Sequence, residues 1–553
     1  MSTQGESFWS QAEEGVPVDL SLRYDDLLDQ AVAAVPDREA VVFLAEPPAE
    51  PVRLTYAEIA AQTGRIARAL LAAGITRGAT VAVYASNRPE FVPLQFACAR
   101  IGVALASLNP AYGPDDLEFL LGRSGTVACF AERAFRTLDL AANVRKAAAN
   151  LPGLRSVVWF HSGAHGDGGA EPDGLAWSAW LAGASTVSDN DYEAARAAAG
   201  PDDIVEKMFT SGTTGRPKGV RLRSSAIANG GRLIAERCRY AEGVRVLHAM
   251  PFFHCGGTVC AMASAQAMRG TTIFPPAFSP SVMAAAADAE GATAFGGVPT
   301  MLIAVDQAAR AGGHSMDGLR TVLTGGAPVP EAIAGHWAAH YGVGLCNTYG
   351  MTEVAGSAVQ TAPDDPAGYL YTTVGRPLPG VAADVVEPGT QTRVSFGMEG
   401  EIRLRGWGTM EGYDGDPDGT AATLQDGWVR TGDLGSLAAD GYLRVTGRLK
   451  DLIIRGGENI SPVTVEDAIR AALPEVLDIS VVGVPDEYHG EAVAAFMRLR
   501  DGAGLTAGDV RDRLASALPR YLVPTHVRLV DEFPTTPSGK IQKYRLREEF
   551  LSE

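Results

Sequence analysis

The chain has 553 residues, 46% of them apolar and 20% charged, more than one hydrophobic core usually holds, so two or more domains are expected. A formal net charge of −18 disfavours nucleic acid or an anionic membrane as a partner, because both are bound through basic patches. The six cysteines, Cys98, Cys129, Cys238, Cys255, Cys260 and Cys346, form no C-x-x-C pair and no zinc spacing, and read as thiols of a reducing compartment. Met1 to Leu20 is acidic and carries no apolar run, so no signal peptide is expected there. Uninterrupted apolar stretches stay below the roughly 18 residues of a membrane span, and a cytoplasmic location is expected.

In chain order, Leu54-Thr55-Tyr56-Ala57-Glu58 opens an Ala/Leu-rich helix to about Ala73. Thr80 to Tyr84 predicts a short buried strand, and Asn87 to Arg100 a helix with Pro89 near its start. Residues 161–203, rich in Gly, Ala, Asp and Ser, read as a surface excursion before a buried strand at Ile204 to Phe209. Strands are expected at Thr293 to Val298 and Thr321 to Thr324. Each runs into small residues, Gly296-Gly297 and Gly325-Gly326-Ala327-Pro328. Ligands of α/β sheets collect beyond such strand ends. From about 381 the pattern is strand-rich, and after Gly447-Arg448-Leu449-Lys450-Asp451 a second unit of about 100 residues follows. It holds a helix near Val463 to Ala472, strands at Asp478 to Val484 and Ala492 to Arg498, and a helix from Ala507 to Ala517 with Thr506 and Asp509 at capping-box spacing. The fold class expected is α/β: a large N-terminal domain of layered sheets flanked by helices (1–447), a hinge (448–451) and a small mobile α+β domain (452–553).

Phe209 to Val220 is a hydroxyl- and glycine-rich loop with one lysine. Gly212 and Gly215 let backbone approach an anion, Thr210, Ser211, Thr213 and Thr214 supply hydroxyls, and Lys218 supplies a compact positive charge. It is no Walker loop, since Pro217 precedes Lys218 and Gly219 follows it. Asn347-Thr348-Tyr349-Gly350-Met351-Thr352-Glu353 gathers an amide, an aromatic face, hydroxyls and a carboxylate within seven residues. Gly432-Asp433 reads as a tight turn presenting a carboxylate, and Pro534 to Ile541 as a loop presenting Lys540. Arg455 to Pro462 reads as a turn before a helix, with Ser461 as cap and Pro462 at its first position. His336 and His340 share a helix face without a third ligand and read as an exposed pair, not as a zinc site.

The run TSGTTGRPKGV resembles the nucleotide-loop signature of the adenylate-forming enzymes: acyl-CoA synthetases, luciferases and peptide-synthetase adenylation domains. Tyr349-Gly350-Met351-Thr352-Glu353, Thr431-Gly432-Asp433, Gly447 to Asp451 and Pro534 to Ile541 match four more of that family's motifs in family order. The resemblance spans about residues 30–548 and implies ATP, Mg2+ and coenzyme A. Glu353 and Thr214 would hold the metal, Asp433 the ribose, and Arg448 ribose or phosphate. Lys450 would be the pivot between domains, and Lys540 would orient both reactants of adenylation. His254, in Phe252-Phe253-His254-Cys255-Gly256-Gly257, is similar to the histidine at the carboxylate end of the acyl tunnel. No acid stands there to hold an ammonium, which argues against amino-acid substrates. Gly456 and Gly457 resemble the loop that admits a pantetheine arm.

The function expected is an AMP- and pyrophosphate-forming carboxylic acid–CoA ligase. An enzyme that loads an acyl carrier protein, or stops at acyl-AMP, is the alternative. A non-catalytic acyl-nucleotide binder is disfavoured by Glu353, Asp433 and Lys540. A homodimer stays open. Small groups at Gly256, Gly257, Gly296, Gly297, Gly325, Gly326 and Ala327 would leave volume, so a medium-to-long, aromatic or other bulky acid is expected, not acetate.

Overall fold

The computed structural model describes residues 5–10, 17–44, 50–160, 173–210, 216–455, 458–486, 488–500, 502–519, 522–536 and 540–552. The chain forms two compact units. The larger comprises Ser10–Ala382 and Leu404–Val429; the smaller comprises Met1–Trp9, Ala383–Arg403 and Arg430–Glu553. The boundary expected at 447 therefore falls inside the smaller unit.

The larger unit is built on two sheets. One orders strands Leu175–Ala176, Ser156–Trp159, Thr126–Ala131, Thr80–Tyr84, Ala104–Leu108, Ile204–Thr210 and Lys218–Arg223. All of it is parallel except the last pair, a hairpin whose final rung is Thr210 opposite Lys218. Thr80–Tyr84 is buried at every position, as a parallel strand covered on both faces must be. The second sheet orders Arg376–Pro377, Val359–Gln360, Gly344–Tyr349, Thr321–Gly325, Ala294–Gly296, Arg245–His248, Thr271–Phe274, Glu39–Phe43 and Val52–Thr55.

Helices cover these sheets for reasons readable locally. Tyr56–Ala72 starts at a capping box: the Glu58 N–H donates to Thr55 Oγ1 at 3.2 Å and the Thr55 N–H to Glu58 Oε2 at 2.8 Å. Its Ile59, Thr63, Ile66, Ala67 and Leu70 recur at helical spacing and are all buried. The expected surface excursion at 161–203 is only partly that. Where described, it carries helices Trp177–Ala182 and Asp189–Ala198, and Trp177 and Trp180 bury their rings against Phe130 at centroid distances of 5.9 and 4.8 Å. Two indoles outweigh the polar average of the segment, because each aromatic buries some 150–250 Å2.

In the smaller unit one sheet orders Phe8–Ser10, Val381–Val386, Gly400–Gly406 and Trp428–Leu437, with Leu443–Arg448 on the last strand. A second is built from Ile453–Arg455, Glu458–Ile460, Val476–Asp486, Gly490–Leu499 and His526–Leu529. Helices Pro462–Ala472 and Ala507–Ala517 close an apolar core over it through Val465, Ile469, Val510 and Leu514. Ala507–Ala517 opens on the expected box, with the Asp509 N–H on Thr506 Oγ1 at 3.2 Å. Ser461 does occupy the cap position before Pro462, but its hydroxyl donates to the Thr446 carbonyl and makes no cap bond.

All six cysteines are buried and none is in a disulfide. Among the described residues no helix is long and apolar enough to cross a membrane.

Candidate functional site

Four neighbouring parallel strands, Gly344–Tyr349, Thr321–Gly325, Ala294–Gly296 and Arg245–His248, end on one edge of their sheet. Their carboxyl ends release Gly350 to Glu353, Gly326-Ala327, Gly297 and the turn bearing His254. The sequence motifs, some 100 residues apart in the chain, thus leave one sheet edge side by side, where α/β sheets take ligands. Gly325, with φ +158°, packs so closely on the next strand that a Cβ would lie 2.2 Å from the Thr348 carbonyl oxygen. No larger residue fits between these two strand ends.

Asn347 is buried and donates from Nδ2 to the Thr373 carbonyl at 3.1 Å. Thr352 is buried with Oγ1 3.8 Å from Cys255 Sγ. Thr348, Tyr349, Gly350 and Met351 lie half-buried along the same segment. Glu353 is 4% exposed and accepts the Tyr413 hydroxyl at 2.6 Å. Lys218 lies with Nζ 4.7 Å from the centroid of that same Tyr413 ring and 3.5 Å from an Asp416 oxygen. The strand carrying Lys218 is fastened to this stretch through the backbone, the Asp414 N–H donating to Gly219 O at 2.7 Å and the Arg221 N–H to Gly412 O at 3.1 Å. Tyr413 therefore ties the exit of the glycine-rich loop to the Glu353 carboxylate. Burial and the neighbouring Glu353 charge raise the Tyr413 hydroxyl well above its ordinary value, so it remains a donor.

Of the glycine-rich loop, Thr210 and Lys218 close the hairpin opposite one another. Ser211, Gly212, Thr213, Thr214 and Gly215 lie outside the described residues, as do Gly456 and Gly457. A strand follows the loop, not a helix, as its departure from the Walker pattern predicts.

His254 is half-buried, and its Nδ1 accepts the Gly256 N–H at 3.0 Å. A neutral ring so held carries its proton on Nε2. His248, at the end of the strand that precedes this turn, is different: its ring is wholly buried beside Phe252 and Phe274, and burial lowers its pKa to about 3. The small residues near His254 do not leave the volume expected of them. A Cβ on Gly257 would lie 2.3 Å from Pro251 O, one on Gly256 2.8 Å from Met250 Cε, and one on Gly297 3.2 Å from Phe295 Cε1. These glycines let neighbouring chains approach, and the space is filled. From Gly256 the backbone winds through a π-helical segment, Gly256–Ala263, a form enriched at functional sites. Behind the turn, Met250, Val298 and Met301 form a small apolar cluster with Phe278.

In the smaller unit, Asp433 and Arg448 face each other across adjacent strands, Arg448 Nε donating to Asp433 Oδ1 at 2.7 Å. Asp433 is not on a tight turn as expected. It lies within strand Trp428–Leu437, one residue after Gly432, whose φ of +69° kinks the strand. Lys450 is exposed on the short 3-10 turn Leu449–Asp451. Lys540 is placed by its backbone: its N–H donates to Thr536 Oγ1 at 3.1 Å, and the Thr536 N–H donates to its carbonyl at 2.7 Å. His336 stacks on His340 at 5.3 Å, and its Nε2 lies 2.8 Å from Oδ1 of the buried Asp306.

Tyr413 was not singled out by any sequence motif. It lies 60 residues beyond Glu353, and only the two chain segments meeting in space mark it.

An α/β unit of parallel strands with a glycine-rich hairpin loop, followed by a small α+β unit, is the architecture of the adenylate-forming enzymes. The family model described as "AMP-binding enzyme" matches residues 28–414, and that of the "AMP-binding enzyme C-terminal domain" matches residues 464–540. Among curated relatives, the "Putative acyl-CoA synthetase YngI" of Bacillus subtilis is 34% identical over 541 residues, 95% of this chain and 96% of that protein. The "Medium-chain acyl-CoA ligase ACSF2, mitochondrial" of Danio rerio is 31% identical over 543 residues, 95% of this chain and 88% of that protein. Among solved structures, ATP-bound MatB from Rhodopseudomonas palustris superposes with a TM-score of 0.81 at 28% identity, covering 96% of this chain and 99% of that one. The chain belongs to the AMP-binding enzyme family, on its acyl-CoA synthetase branch of AMP-forming acid–thiol ligases.

Proposed function

We propose that this chain activates a medium- or long-chain, aromatic or otherwise bulky carboxylic acid in two steps. A carboxylate oxygen of the acid attacks the α-phosphorus of ATP, and pyrophosphate leaves with the P–O bond electrons. The thiol of coenzyme A then attacks the acyl carbon, AMP leaves, and the thiol proton is released. The observation that carries this reading is the row of strand ends that sets the His254 turn, Gly325 to Ala327 and Asn347 to Glu353 along one sheet edge.

The roles follow from the chemistry of each group. Thr210, Lys218 and the loop between them take the phosphates, and Tyr349 with Asn347 takes adenine. The Asn347 amide hydrogen donated to Thr373 leaves its carbonyl oxygen to accept from an exocyclic amine. Asp433 accepts from the ribose hydroxyls, with Arg448 fixing its orientation. The Nε2–H edge of His254 faces the acid's carboxylate end. Glu353 is a buried carboxylate beside the Thr352 hydroxyl, an all-oxygen donor set that fits a hard divalent cation. Glu353, with Thr214, would hold Mg2+, which supplies charge neutralisation on the triphosphate when bound. Lys540 orients carboxylate and phosphate in the first step. Lys450 is the pivot between the two half-reactions, and Gly456 and Gly457 admit the pantetheine arm.

Two observations favour a medium-chain acid within the broader class. The relative from Danio rerio is named a medium-chain ligase, and the cluster of Met250, Met301 and Val298 behind His254 is apolar, with two unbranched methionine side chains that adapt to a chain's shape.

A pyrophosphate-release screen over straight-chain acids from acetate to palmitate and a set of aromatic acids, with and without coenzyme A, tests this. Release that requires a mid-length or aromatic acid, with the matching CoA thioester as product, is expected. Release without thioester, and acyl transfer only to a phosphopantetheinylated carrier protein, would move the chain to the carrier-loading reading. No acid-dependent release across the set would overturn the proposal.

A further inference from the structure

His254 stands on a turn, Pro251 to Cys255, that is gripped by two buried side chains from elsewhere in the larger unit. Asn87, 5% exposed, donates from Nδ2 to the Met250 carbonyl at 3.1 Å and accepts the Phe252 N–H on Oδ1 at 2.9 Å. Both ends of one amide thus bracket Pro251, which has no N–H of its own. Thr258 Oγ1 donates to the Phe252 carbonyl at 2.7 Å. Gln95 Nε2 donates to that same oxygen of Thr258 at 3.1 Å, which leaves the hydroxyl proton for Phe252. Gln95 is in turn held by Glu206 Oε1 at 2.7 Å. The Phe252 ring packs edge-on against Phe274 at 4.6 Å and tilted against Phe91 at 5.4 Å.

Every one of these polar bonds is side chain to backbone or side chain to side chain, and none belongs to a helix or sheet ladder. They fix the residue two before His254 at its N–H, its C=O and its ring. The turn then closes on itself, with the His254 N–H on Pro251 O at 3.1 Å and the Thr258 N–H on His254 O at 3.1 Å. In that closed form the Gly256 N–H reaches Nδ1, which is thereby the acceptor of the neutral ring.

We propose that Asn87, seconded by Thr258, is the positioning residue of His254: it holds the turn in the form that keeps Nδ1 an acceptor and presents Nε2–H to the acid. This rests on the assignment of His254 to the acid's carboxylate end, and the test separates the two ideas. Asn87→Ala, the isosteric Thr258→Val and His254→Ala are compared with the wild-type chain by nitrogen NMR of 15N-histidine-labelled protein, His254→Ala assigning the resonance, and by pyrophosphate release with acid and ATP varied separately. Expected is a wild-type His254 spectrum of the Nε2–H tautomer, shifted toward a mixture in Asn87→Ala and Thr258→Val. The acid KM should rise about 10-fold in each, the scale of one or two buried hydrogen bonds, with the ATP KM within about twofold. The His254→Ala background should abolish the effect of Asn87→Ala on the acid KM. If Asn87→Ala does not fold, Thr258→Val carries both readouts. Folded variants with an unchanged His254 tautomer would overturn the positioning proposal. A tautomer that shifts while His254→Ala leaves the acid KM untouched would uphold the positioning and overturn the assignment of His254.

Discussion

The wall around His254 and Glu353 and the segments around Lys450 and Lys540 carry charge and polarity in opposite ways. In the larger unit several groups of the site are held by other side chains: the Glu353 carboxylate by Tyr413, the Tyr413 ring under Lys218, and the Phe252 backbone by Asn87 and Thr258. In the smaller unit Asp433 and Arg448 repeat that habit, whereas Lys450 is exposed on a single 3-10 turn and the Lys540 backbone is fixed by Thr536. Groups that meet the nucleotide in every half-reaction gain from being fixed in advance, since reorganisation then costs nothing at the moment of reaction. A lysine that serves one half-reaction needs to be delivered and withdrawn, and a long flexible stem on a loop suits that task.

The comparison breaks first at Lys540. Lys540→Ala should cut acyl-AMP formation by about 10²–10³-fold, the scale of losing one charge-stabilising group, yet largely spare thioester formation from supplied acyl-AMP. Single-turnover assays of each half-reaction decide it, and equal loss in both would show that this loop is not withdrawn between them. Tyr413→Phe comes next. It removes one hydrogen bond to a carboxylate, worth about 1.5–3 kcal/mol, while leaving the ring beneath Lys218, so kcat/KM for ATP should fall roughly 10- to 100-fold with a raised Mg2+ requirement. An unchanged Mg2+ dependence would mean that the Tyr413–Glu353 bond does not serve the metal site.

A further effect is read in stability and not in rate. Glu206, on the strand leading into the glycine-rich loop, is buried with Gln95 and Ser107 as partners, and burial pushes its pKa from 4.5 to about 8. The folded chain therefore keeps a proton that the unfolded chain loses as pH rises from about 4.5 to 8, and stability should decline across that window by at most about 1.4 kcal/mol per pH unit. Glu206→Gln should flatten this decline and raise the urea midpoint at pH 8 above that of the wild-type chain. A midpoint that falls equally in both would place the pH dependence elsewhere.

Much of this architecture is visible before any coordinates. The strand Thr80–Tyr84, the helix Ala507–Ala517 with its box, and the position of Pro462 follow from periodicity and capping, which act over a few residues. The misreadings share a cause. Ser461 looks like a cap but bonds Thr446, Asp433 looks like a turn residue but lies in a kinked strand, and the glycines at 256, 257 and 297 look like open space but are close-packed. In each case a partner distant in the chain determines what the residue does. Tyr413 and Asn87 are invisible to sequence motifs for the same reason, since a lone tyrosine or asparagine carries no local signal.

The order of hydroxyls, glycines and carboxylates along the chain was enough to establish the family and the two-unit α/β plan, because local propensity and motif spacing are written in neighbouring residues. Which of those groups share a sheet edge, which tyrosine steadies the Glu353 carboxylate, and which amide holds the His254 turn were decided only when strands from distant parts of the chain packed together. Hydrogen bonds and close packing act over a few ångströms in space, whatever the distance along the sequence.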